Sequence, residues 1–275
     1  MFLIGKSLFN FELKHPLEIA FTENEQGDRQ GVCWFYLTDS EYFIDLEEVK
    51  LFENSSQSIT KYPLIGRFDD YQYSRHLEDL FEILPAISCP MPEDLYALVD
   101  TNEKRELLYS KMADLYLWDD DPIGEHQDAK LDSIINSLIY YGRLDTGHLR
   151  FRSDCQFFNI NGDVIIQYNF IDEYEGIPVW SAGKGLYTLT YKKFICEIED
   201  LLNRFFLAMD KQIETAIQVF NEREVEGSNL ALEHALRKEY FYGILYSVKN
   251  NEYKNLIDWG RLREDLKYFM SKIKL

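Results

Sequence analysis

The stretch from Leu144 to Phe220 constrains this chain more than any other. It opens RLDTGHLRFRSDCQFFNINGDVIIQYNF, passes through GIPVWSAGKGLYTLTY and continues as KKFICEIEDLLNRFFLAMDKQIETAIQVF. Asn161-Gly162 lies between two alternating runs, and this dipeptide supplies the positive φ angles that a tight type I′ hairpin turn requires. Val164, Ile166, Tyr168 and Phe170 then share one face of the second strand, with Gln167 and Asn169 on the other. After Thr190 the period changes from two to three and four. Phe194, Ile198, Leu201, Leu202, Phe205, Met209, Ile213, Ala216 and Phe220 mark one side of a long helix over about 191–220. A sheet with one apolar face, followed directly by a helix with one apolar stripe, predicts that the two pack together.

The flanking segments read as further strands and helices. LFNFEL from Leu8 to Leu13, VCWFYLTD from Val32 to Asp39 and EYFIDL from Glu41 to Leu46 carry strand patterns, with the polar ENEQGDRQG (Glu23 to Gly31) as a loop. A helix begins near Asp69-Asp70, carries Tyr73, Leu77, Leu80, Phe81 and Leu84, and is stopped or bent at Pro85. Pro92 opens a short helix through Leu98; Leu107, Leu108, Met112 and Leu115 mark another ending near Trp118. Leu131, Ile134, Ile135, Leu138 and Ile139 mark a helix closed by Gly142. Near the C-terminus, Leu236, Tyr240, Phe241, Ile244, Leu245 and Val248 mark one helix, and Asp258 caps a last one carrying Leu262, Leu266, Phe269, Met270 and Ile273.

The predicted class is α+β: antiparallel strands in two blocks, one N-terminal and one over 149–190, packed against several helices. With no repeat and no Gly/Ser linker, residues 1–275 are expected to form a single compact domain. Its sub-parts are mainly strands (1–66), mainly helices (67–143), the β-meander (144–190) and helices (191–275).

Charge narrows the partners. Lys and Arg number 29 against 48 Asp and Glu, a formal net charge of −19. A field of that sign repels nucleic-acid phosphates and anionic membrane surfaces and favours a basic protein partner. Cys33, Cys89, Cys155 and Cys196 form no C-x-x-C pair, so reduced thiols are expected, with no zinc knuckle. Residues Met1 to Phe11 show no secretory pattern, and no run reaches the ~20 apolar residues needed to span a bilayer. The expectation is a soluble cytoplasmic protein of undetermined oligomeric state, with neither metal nor cofactor.

Motifs that could carry chemistry are sparse. Asp145-Thr146-Gly147 matches the loop of aspartic proteases, but that chemistry needs two aspartates sharing a proton, and the triplet occurs once. Asp119, Asp120 and Asp121, followed by Glu125, His126 and Asp128, could hold a hard cation, yet the spacing is not that of a calcium loop. His15, His76, His126, His148 and His234 form no H-E-x-x-H pair. His148 lies three residues after Asp145, which makes these two the candidates for acid/base work. Gly183-Lys184-Gly185 lacks the P-loop pattern and reads as a turn.

Five stretches taken together carry a resemblance: WFYLTDSEYFID (Trp34 to Asp45), HLEDLFEILPAISCPMPEDL (His76 to Leu95), LDTGHLRF (Leu144 to Phe151), GIPVWSAGKGLYTLTYKKF (Gly176 to Phe194) and LIDWGRL (Leu256 to Leu262). In this order they resemble an uncharacterised bacterial family, a domain of unknown function. Ser40 stands where the family pattern has glycine, which implies a different hairpin turn. The resemblance implies one continuous domain and supplies no catalytic residues.

These readings point first to a binding protein, of immunity or antitoxin type, that neutralises a basic protein. Asp119, Asp120, Asp121, Asp172, Glu173, Glu175 and Trp180 are the candidate contacts. The alternatives are a metal- or carboxylate-dependent hydrolase built on Asp145 and His148, and a scaffold protein.

Overall fold

The computed structural model describes residues 73–116, 125–145, 154–169, 184–222 and 228–272, together with strand backbone at 18–23, 29–34, 173–174 and 177–178. In the N-terminal block, β1 (Glu18–Glu23) pairs antiparallel with β2 (Arg29–Trp34), from Glu18 opposite Trp34 to Glu23 opposite Arg29. This corrects the sequence reading, which had β2 begin at Val32 and assigned no strand to β1. Glu23 and residues 29–31, expected in the loop, belong to the ladder. The expected strands at Leu8 to Leu13 and Glu41 to Leu46 lie outside the described residues.

The helices that follow are α1 (Tyr73–Ile87), α2 (Glu93–Tyr96), α3 (Asn102–Tyr116) and α4 (Glu125–Ile134), the last continuing as a π-helical turn over Ile135–Ile139. Helix α1 runs through Pro85 rather than ending there. A proline removes its own N–H donor and crowds the carbonyl four residues before it, and the helix stops within the next turn, where Ser88 N donates to Leu84 O at 3.0 Å. Asp69 and Asp70 lie outside the described residues.

The central sheet has the order β3-β4-β7, with β3 (Asp154–Ile160), β4 (Asp163–Asn169) and β7 (Lys184–Thr190) all antiparallel. The hairpin turn is as its dipeptide demands, with Asn161 at φ 54° and Gly162 at φ 86°. A short ribbon, β5 (Glu173–Tyr174) with β6 (Ile177–Pro178), interrupts the meander. Lys184 and Gly185, read as a turn, open strand β7.

Helix α5 (Tyr191–Glu222) follows β7 without a loop, and α6 (Ser228–Lys249) and α7 (Trp259–Lys272) complete the described elements. Asp258 Oδ1 accepts from Arg261 N at 3.0 Å, the predicted cap of α7.

Both faces of the sheet are covered. On one side Phe157, Ile166 and Tyr187 align across the three strands and meet α1, α5 and α6; Phe157 lies 5.7 Å from Phe194, and Phe81 lies 4.8 Å from Phe241. Phe194, Ile198, Leu201, Leu202, Phe205, Met209 and Ile213 are all buried, so α5 packs on the sheet as its stripe predicted. On the other side Phe158, Ile160 and the half-buried Ile165 meet a second core from α2, α3, α4 and α7. The expectation of a single apolar face is therefore corrected: the sheet is the middle of three layers.

Two buried amides make this possible. Gln156 Nε2 donates to Ile139 O at 2.9 Å and Tyr141 O at 2.7 Å, and Asn159 Nδ2 donates to Ile87 O at 2.9 Å. Carbonyls at helix C-termini lack intrahelical partners, so polar side chains pointing from β3 satisfy them where water cannot. That is why β3 is buried along almost its whole length although its sequence, DCQFFNI, is not uniformly apolar.

Candidate functional site

Two surface features stand out among the described residues. The first is a cleft of about 430 Å³ where the loop before α3 meets the open end of the sheet. Asp100, Thr101, Asn102, Glu103 and Arg105 line one wall; Asp154, Gln167, Tyr168, Asn169, Lys184, Gly185 and Leu186 line the other.

Arg105 organises the cleft. Although cationic, it is only 7% exposed, with its guanidinium 5.8 Å from the Phe158 ring. Its Nη1 donates to Gln167 Oε1 at 2.6 Å and to Val99 O at 2.8 Å, and Gln167 Nε2 donates in turn to Asp100 O at 2.5 Å. Burial pulls the Arg105 pKa below its ordinary value; the field of Asp154 opposes the shift and that of Arg143 adds to it. The acids of the cleft each face another cation: Asp154 faces Arg143 at 3.2 Å, Asp100 faces Lys104 at 2.7 Å and Glu103 faces Lys184 at 4.0 Å. Among the described residues, no carboxylate lies within ion-pair distance of Arg105. At the rim of the site, Tyr168 lies so close over Gly185 that a Cβ there would overlap the phenol oxygen.

The second feature is the outer face of α6. Leu232, Leu236, Tyr240 and Tyr246 are 59%, 56%, 55% and 67% exposed, and Ala235 and Gly243 between them are also exposed. At 100° per residue these six positions share one side of the helix, opposite the buried His234, Phe241, Leu245 and Val248. The sequence marks Leu236 and Tyr240 as apolar positions of this helix without giving them a side, and the structure turns both outward. A helix apolar on both sides has no single periodic stripe, so periodicity could not separate its buried side from its displayed one. Leu107 of α3 is likewise 58% exposed.

Every Lys and Arg of α6 is paired with an acid of a neighbouring helix. Arg237 pairs with Glu78 of α1 at 3.4 Å, while Lys238 and Lys249 pair with Asp210 and Glu199 of α5 at 2.9 and 2.8 Å. Glu233 and Glu239 remain exposed beside the apolar residues.

Asp210 also receives His234 Nε2 at 2.7 Å. Partial burial opposes its ionisation, but hydrogen bonds from His234 and Lys238, with their charges, outweigh that and hold its carboxyl below the usual range. A depressed folded-state value means that the stabilisation is complete above the unfolded value of about 4 and is lost as pH falls through the folded one. Asp210→Asn is therefore expected to flatten the acid limb of stability against pH. Its cost at neutral pH should stay below about 1 kcal/mol, because the carboxylate is 40% exposed. Urea titrations from neutral to acid pH would measure both.

Of the residues singled out in the sequence, Glu173 lies in β5 and Asp145 is exposed just after the bridge between Arg143 and Gln156. Asp119, Asp120, Asp121, His148, Asp172, Glu175 and Trp180 lie outside the described residues. Among the described residues, no three His, Cys, Asp or Glu side chains converge to hold a metal ion. Cys89 and Cys155 are buried free thiols and Cys196 an exposed one; burial pushes the Cys155 thiol far above its ordinary pKa. No helix among the described residues is long and apolar enough to cross a membrane.

The cleft and the displayed helix face belong to an α+β protein whose antiparallel sheet is enclosed by helices on both sides. Residues 8–265 match the family of unknown function DUF5984, and the chain belongs to that family. Neither a curated protein nor a solved structure shows a significant match to it.

Proposed function

We propose that this protein acts by binding, as an immunity- or antitoxin-like partner that captures a basic protein. The observation that carries this reading is the outer face of α6. Leu232, Leu236, Tyr240 and Tyr246 form an apolar and aromatic strip with the exposed acids Glu233 and Glu239 beside it, while the cations of the same helix are held by Glu78, Asp210 and Glu199. Tyrosine-rich apolar patches supply most of the affinity of protein interfaces, and acids around them select a positively charged partner and speed its approach. The net charge of −19 adds a long-range field of the same sign.

Tyr240→Ala is expected to weaken partner binding about 30-fold, the equivalent of about 2 kcal/mol, as for an aromatic near the centre of an interface. Unfolding stability should move by less than about 1 kcal/mol, because the side chain is more than half exposed and its ring meets only the edge of the core at Phe241. Leu236→Lys should act in the same direction by adding charge repulsion to lost contact. The test is affinity capture from lysate of the source cells at low and high salt, with each variant run beside the natural chain. A stoichiometric basic protein that is released by salt and lost from both variants supports the reading. Equal capture by the variants, or a partner without excess positive charge, defeats it. Self-association measured by light scattering and abolished by the same substitutions would instead assign the strip to a second copy of this chain.

A further inference from the structure

We infer that the cleft beside Arg105 is a binding site for a small zwitterion of the α-amino-acid class, independent of the α6 face. Two requirements left open by the protein define the ligand. The first is an anion. Arg105 is buried against Phe158, its Nη1 is held by Gln167 and Val99, and no described carboxylate pairs with it. A buried guanidinium without a counter-ion is costly, and its planar donor edge matches a carboxylate better than any other small group.

The second requirement is a hydrogen-bond donor. Asn169 Oδ1, on the opposite wall, is buried and accepts no hydrogen bond. An orphaned buried acceptor loses its hydration without replacement, and a ligand N–H or O–H would restore a partner.

Charge chooses between donors and sets the ligand's net charge. Asp100, Glu103 and Asp154 outnumber Arg105 and Lys184 in the walls, so an ammonium is favoured over a hydroxyl beside Asn169. The same excess of carboxylates disfavours a dianion such as phosphate. Carboxylate and ammonium on one carbon satisfy Arg105 and Asn169 together. A cleft of about 430 Å³ admits such a molecule with a side chain of moderate size, which would lie along Tyr168 and Leu186.

Isothermal titration of the full chain with each common amino acid, and with acetate and inorganic phosphate as controls, tests this. The expected result is saturable binding of at least one amino acid, with acetate at least about tenfold weaker and phosphate not bound. Arg105→Lys should weaken the amino acid at least about tenfold, because a point charge cannot reproduce the planar donor pair. Arg105 also holds Val99 O, so that variant could fail to fold; Asn169→Leu covers this case. It removes the acceptor for the ammonium and should lower the amino acid's affinity to that of acetate while leaving acetate unchanged. No binding by any amino acid overturns the inference. So does equal binding of acetate or phosphate, or an Asn169→Leu variant that still distinguishes the amino acid from acetate.

Discussion

Replacing Gly142 by alanine is expected to destabilise the fold by about 3 kcal/mol or more. Gly142 follows the π-helical turn with φ 57°, a left-handed conformation that a side chain opposes. Space is the greater obstacle. A Cβ at this position would overlap the carbonyl oxygen of Phe157 and come within 3.3 Å of Ile87 Cγ1. The overlap cannot be relieved locally, because Gly142 O accepts from Phe157 N at 2.9 Å and Leu144 N donates to Cys155 O at 2.9 Å. Moving the segment away from β3 breaks these bonds and pulls Tyr141 from its bond to Cys89 O. Urea denaturation of the variant gives the value directly; a loss under about 1 kcal/mol would mean that this segment parts from the sheet at little cost.

Phe158→Ala is expected to cost about 3–5 kcal/mol, at the upper end for a buried aromatic. Phe158 is fully buried, meets Tyr96 edge-on at 5.1 Å and stacks with Tyr141 at 5.9 Å. It therefore joins α2 and the end of the α4 segment to the sheet, and a cavity there has walls that rigid elements prevent from collapsing. The same ring lies against Arg105, so the substitution should also loosen the cleft. Its counterpart Phe157→Ala opens the opposite core and should cost a similar amount while leaving the cleft intact. Comparing the two variants for stability and for ligand binding separates a general loss of packing from a specific loss at Arg105. If both variants change binding equally, Phe158 has no particular role at the cleft.

Much of the fold could be read locally. The Asn161-Gly162 turn, the extent of α5, the cap at Asp258 and the closing glycine at 142 each depend on a few neighbouring residues. Turn geometry, helical periodicity and capping are short-range physics, so the residue string contains them whole. The burial of Gln156 and Asn159 could not be read this way, because their partners, Ile139, Tyr141 and Ile87, are distant in the chain. Nor could that of Arg105, whose amide partner Gln167 comes from β4.

The candidate sites follow the same division. The acidic runs and Asp145 were visible as composition and motif, yet the cleft is made of residues from α3, β3, β4 and β7 that no motif connects. Gln167 was read as the polar side of a half-exposed strand and is in fact the residue that anchors Arg105. On α6 the sequence showed apolar character and left its direction open.

The sequence by itself determined the central hairpin with its turn, the helices that follow the sheet, the α+β class and the strong negative charge, since each is a property of neighbouring residues or of a sum over the chain. Only the tertiary structure decided that the sheet is covered on both faces, that the cations of α6 pair with acids of neighbouring helices while Leu232, Leu236, Tyr240 and Tyr246 turn out, and that Arg105 is buried beside an open cleft. Those outcomes depend on which distant surfaces meet, and burial is a property of the meeting, not of the residue.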